Sequence, residues 1–84
     1  MAKKETEFKE GEECFYHEDF GQMKCKILEH ELKDNDNELH LNLEVISVIK
    51  RCPLVEPPSK GHVFNVWKRL DCDSSAFWRI TEIG

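Results

Sequence analysis

Lys33-Asp34-Asn35-Asp36-Asn37-Glu38-Leu39-His40-Leu41-Asn42-Leu43-Glu44-Val45 is the stretch that decides the fold. Its first five residues are turn formers, because Asp and Asn side chains bond to nearby backbone and tolerate left-handed conformations. From Leu39 to Val45 apolar and polar residues alternate strictly, the period of a strand with one face in a core. A turn followed by such a strand predicts a hairpin, with a partner strand before Lys33. The strand itself is expected to run from Leu39 to Lys50. Its end, Val45-Ile46-Ser47-Val48-Ile49, becomes apolar on both faces, which predicts a strand entering the centre of a small barrel or bending between two sheets.

The partner segment, Gln22 to Leu32, supports two readings. Met23, Cys25 and Ile27 alternate as in a strand, while Cys25, Leu28 and Leu32 would share one face of a helix. The hairpin favours the strand; a helix at about 22–32 would make the fold α+β instead. Upstream, Cys14-Phe15-Tyr16-His17 is a β-prone run closed by Glu18, Asp19 and Gly21, which suits a first strand and a turn. Gly11 marks the start of the domain, 11–84, and residues 1–10, charged around the single Phe8, are expected to form a mobile arm. Downstream, 51–61 holds Pro53, Pro57 and Pro58 and is expected to be a stiff loop. His62 to Leu70 and Ala76 to Ile83 follow as two more strands joined by the turn-forming Asp71 to Ser75. The expected fold is mainly β, a five-stranded antiparallel barrel or roll.

Composition narrows the function. With 84 residues there is room for one core, and 39% apolar residues suffice to build it. A net charge of -5 disfavours non-specific binding to nucleic-acid phosphates, although a local basic strip stays compatible with it. No run approaches the roughly 20 apolar residues of a membrane helix, so no membrane association is expected. No apolar segment follows Lys3, Lys4 and Glu5, so the expected place is the cytoplasm, with Cys14, Cys25, Cys52 and Cys72 reduced.

Motifs of catalysis and metal binding fail on spacing. Cys14, His17, Cys25 and His30 raise the question of zinc, but no two cysteines are close enough to form a knuckle, and Cys14 and His17 would point to opposite faces of a strand. Asp34, Asp36 and Glu38 alternate like the start of a calcium loop, whose required Gly and final Glu are replaced by Leu39 and Val45. A Cys25 nucleophile with His17 or His30 as base is one of many equivalent pairings. With no phosphate loop or metallohydrolase signature, the expectation is no enzyme, no cofactor and no metal, a Cys/His metal site being kept as an alternative.

The surface clue comes from the last hairpin. If Phe64 and Val66, with Leu70, His62 and Lys68, face the core, then Trp67 and Arg69 face out, beside Val63 and Asn65. If Ala76, Trp78 and Ile80 face the same core, Phe77 and Arg79 face out. Exposed aromatics beside arginines are enriched at the centres of protein interfaces and also stack single-stranded bases. Trp67, Phe77, Arg69 and Arg79 are therefore the candidate binding residues. Packing of Trp67 and Phe77 under the arm or the proline loop, or in a homodimer seam, would explain the same pattern.

Five short strands, the opening Gly11-Glu12-Glu13-Cys14-Phe15-Tyr16, and a loop before a final hairpin resemble an SH3-like barrel of the broad Tudor type. Gly11, Tyr16, Trp67 and Phe77 would be the counterparts of its turn and aromatic face. The resemblance implies a binding module for a protein or peptide, or for nucleic acid, in place of a catalyst.

Overall fold

Residues 3–18, 21–51, 58–71 and 77–83 are described in a computed structural model of the chain. They form five strands: β1 (Glu13–Glu18), β2 (Gly21–Lys33), β3 (Glu38–Arg51), β4 (Val63–Arg69) and β5 (Trp78–Glu82). All pairings are antiparallel and the order is β4-β3-β2-β1-β5. Four consecutive strands make a meander, and β5 returns to pair with β1. The result is an open sheet curled into a small roll. No helix is found at 22–32: the segment lies inside β2, and the α+β alternative is set aside.

A bulge explains why that segment carried a helical signal. Across from β3, Ile27 stands opposite Leu43 and Glu29 opposite Asn42, so Leu28 is one residue too many. Met23, Cys25 and Ile27 point inward before it; His30 and Leu32 do so after it. The shift from odd to even positions leaves Cys25, Leu28 and Leu32 at helix-like spacing in an extended strand. The same device explains the apolar end of β3. Ile46 and Ile49 are extra residues at two further register shifts, and the inward side passes from Leu39, Leu41, Leu43 and Val45 to Val48. The bulges bend both long strands, which lets one sheet wrap round its own core.

The turn between β2 and β3 is the one its composition predicts. Asp34, Asn35 and Asp36 all have φ between 52° and 66°, a conformation that Asp and Asn adopt more readily than other side chains. Gly11, at φ 87°, opens β1 by a bulge in which its N–H donates to the Ile27 carbonyl while Ile27 N–H donates to Glu12. Gly21 is needed for a close approach, since a Cβ there would lie 2.7 Å from the Lys50 carbonyl oxygen.

The core takes Cys14 and Tyr16 from β1, Met23, Cys25 and Ile27 from β2, the leucines of β3, and Trp78 and Ile80 from β5. Phe64 and Val66 of β4 pack against it, with Tyr16 meeting Phe64 edge-on and stacking on Trp78. Leu70, expected inward, lies beyond the end of β4 and is exposed; its N–H donates to the Asn37 carbonyl at 2.6 Å. The fifth strand begins at Trp78, later than expected. Of the proline loop expected at 51–61, Arg51 belongs to β3, residues 58–61 are in no strand or helix, and 52–57 lie outside the described residues, as do the turn at 72–75 and the inward place of Ala76.

The segment expected to be an arm lies against this roll from Lys3 onward. Residues Glu5–Glu7 form one 3-10 turn, Phe8 enters the core, and Lys3 pairs with Glu12. Glu5 sits where the two sheet edges approach each other. Its carboxylate accepts Lys68 Nζ of β4 at 2.6 and 2.7 Å and the Ile80 N–H of β5 at 3.0 Å. Lys68 also donates to the Trp78 carbonyl at 3.2 Å and lies over the Trp78 ring, 4.3 Å from its centroid. Trp78 Nε1 reaches the Trp67 carbonyl at 3.4 Å. Side chains thus bridge β4 and β5 where no strand ladder does.

Cys14 and Cys25 stand opposite each other in the β1–β2 ladder, buried and unpaired by any disulfide. Burial first, then Cys25 and Glu12, pushes the Cys14 thiol up to about 12; burial and then Glu18 push Cys25 up to about 11. Each thiol holds its proton more tightly folded than unfolded. Their contribution to stability is therefore whole below the unfolded value of 9.0 and is lost as pH rises towards 11 and 12. Urea midpoints measured from pH 8 upward are expected to be flat and then to fall above about 9. Iodoacetamide at pH 8 should leave both thiols unmodified until the fold is opened.

Candidate functional site: the outer face of β2, β3 and β4

With Leu39, Leu41 and Leu43 inward, His40 and Asn42 of β3 must face out. The register then builds three cross-strand rows. Glu31, His40 and Trp67 form one, Glu29, Asn42 and Asn65 the next, and Lys33, Glu38 and Arg69 a third. The first two rows enclose a shallow groove of about 150 Å³. β2 lines it with Glu29, Glu31 and Lys33 and β4 with Asn65 and Trp67, with His40 and Asn42 of β3 between them.

Trp67 remains 58% exposed although it stacks on His40, with ring centroids 5.7 Å apart and an interplanar angle of 12°. His40 Nε2 is held 3.1 Å from Glu38 Oε1, which fixes the ring beneath the indole. Asn42 Oδ1, in the middle row of the groove, is the one buried side-chain polar atom among the described residues with no hydrogen-bond partner.

Arg69 shares the outward side of β4 but is engaged. It donates to Glu38 at 3.0 Å, to Asp34 at 3.0 Å and, twice, to Asp71 at 2.8 and 2.9 Å. Hydrogen bonding to Asp71 first, then to Asp34, raises its pKa, and the same contact lowers that of Asp71. Asp34 and Glu38, two of the residues that resembled a calcium loop, are thus partners of an arginine. Arg79 belongs to another surface, opposite His17 in the β1–β5 ladder. His17 Nε2 lies 2.7 Å from Thr81 Oγ1; partial burial and then Arg79 lower its pKa. Phe77, 73% exposed, precedes β5.

The four candidate residues therefore divide. Trp67 and Arg69 stand on the face of β2, β3 and β4, Arg79 on that of β1 and β5, and neither Trp67 nor Phe77 is covered by the segment 3–10. Glu29, Glu31, His40, Asn42 and Asn65 were not singled out beforehand. The outward places of His40 and Asn42 follow from the leucine alternation, but those of Glu29 and Glu31 depend on the Leu28 bulge.

Cys14 and Cys25 face the core, His17 faces out, and His30 Nε2 donates to the Glu5 carbonyl at 3.0 Å. No group of three or more metal-ligating side chains gathers among the described residues. No helix among them is long and apolar enough to cross a membrane. Comparisons with protein-family models, curated proteins and solved structures find no match for this chain.

Proposed function

We propose that this chain is a non-catalytic protein-interaction module whose partner sits on the outer face of β2, β3 and β4, around Trp67. The observation that carries the reading is a largely exposed tryptophan stacked on a histidine at the wall of a groove. A preordered aromatic loses little entropy on binding and offers a large apolar area, the character of an interface anchor. The four-strand meander with its returning fifth strand supports an SH3-like, Tudor-type roll, a fold that serves chiefly in binding. Single-stranded nucleic acid, the second reading, is opposed by Glu29 and Glu31 beside the indole and by the net charge of -5. The setting proposed with it is the cytoplasm, where thiols stay reduced.

The test is selection of peptides from a random display library on the immobilised full chain. Enriched peptides are expected to lose at least about tenfold in affinity for Trp67→Ala. That variant should keep its stability to within about 1 kcal/mol, since it loses only an exposed stack. Peptides that bind wild type and Trp67→Ala alike would sink the reading.

A further inference from the structure

We infer that the Trp67 groove receives a cationic side chain, an arginine or lysine in an extended basic segment of a partner protein. This rests on the proposed function above and names what the groove selects.

The groove has two unlike walls. Neighbouring strands lie about 4.8 Å apart, so the β2 and β4 rows stand roughly 10 Å from each other, with the β3 row between them. A long side chain laid across this row would lie between the exposed part of the Trp67 indole, which also stacks on His40, and the carboxylates of Glu29 and Glu31. A cation is favoured by both: it is attracted to the ring's quadrupole and by the acidic charges. An anion is repelled by one wall, and a neutral apolar side chain would desolvate the other.

Of the cations nearby, Lys33 lines the groove itself and pairs with Glu31 at 3.9 Å, which leaves Glu29 as the groove's unpaired carboxylate among the described residues. Arg69 is committed to Glu38, Asp34 and Asp71. The whole chain, at -5, draws a basic segment from a distance.

The experiment titrates the isotope-labelled full chain by NMR with two capped glycine-rich peptides, one carrying two arginines and one carrying citrulline in their place. Citrulline keeps the shape and removes the charge. The arginine peptide is expected to shift the amides of Glu29, Glu31, Asn42 and Asn65 and the Trp67 indole, with Kd of about 1 mM or tighter. Citrulline, Glu29→Gln with Glu31→Gln, and Trp67→Ala should each weaken it at least about fivefold, and added salt should weaken the arginine peptide alone. If arginine and citrulline peptides bind equally, or the shifts fall on another face, the inference is overturned. It is overturned too if neither binds. Library peptides of neutral or acidic sequence that still require Trp67 would then leave the interaction-module reading standing, whereas their absence would remove both.

Discussion

Replacing Lys68 by Met is expected to lower the free energy of unfolding by about 2–3 kcal/mol, a large share of the roughly 4–13 kcal/mol usual for a domain of this length. Lys68 and Glu5 have side chains only 11% and 25% exposed, so either one alone is a charge held out of water without its counterpart. Removing Lys68 leaves the Glu5 carboxylate with the Ile80 N–H as its remaining seam partner. It also removes the bond to the Trp78 carbonyl and the contact over the Trp78 ring. The pair should therefore be strongly coupled. Glu5→Gln added to Lys68→Met is expected to recover at least about 1 kcal/mol, because no charge is then stranded and the amide still accepts from Ile80. Urea unfolding of the four proteins of the cycle measures this; strictly additive losses would mean that Glu5 and Lys68 do not act together across the seam.

Leu43→Ala is expected to cost about 2–5 kcal/mol, independently of the Glu5–Lys68 seam. Leu43 is wholly buried in the middle of β3, with Ile27 of β2 and Phe64 of β4 as its register partners. Strands pinned on both sides cannot collapse into the space left, so the cavity persists. Leu43→Met, which nearly conserves volume, should stay within about 1.5 kcal/mol. Thermal or urea unfolding distinguishes the two, and a loss for Ala as small as that for Met would mean that the strands close over the space after all.

The β class, the hairpin at Lys33 to Glu38 and the inward leucines were legible because alternation and turn chemistry are local properties. So were the inward sides of β4 and β5 around Phe64, Val66, Trp78 and Ile80. What was not legible depends on counting across strands. The bulge at Leu28 exchanges the two sides of β2 partway along, and no single residue announces it; only the partner's register shows which residue is extra. For the same reason Glu29 and Glu31 were absent from the expected binding surface, and Arg79 was grouped with Trp67 although a different strand pair carries it. The role of Glu5 was beyond sequence reading altogether, since its partners Lys68 and Ile80 lie 63 and 75 positions away.

That separation bears on how the chain reaches its fold. Each of β1, β2 and β3 pairs with the strand that follows it, so three ladders join neighbours in the sequence. The fourth joins Cys14–Glu18 to Trp78–Glu82, and the Glu5 bridge spans still more of the chain. Ordering so long an intervening segment before any contact rewards it makes loop closure the slow step. The meander should form early and the docking of β5 last. Substitutions at Glu5, Lys68 or Trp78 should then speed unfolding far more than they slow folding, and changes at the Asp34–Asn37 turn should do the reverse.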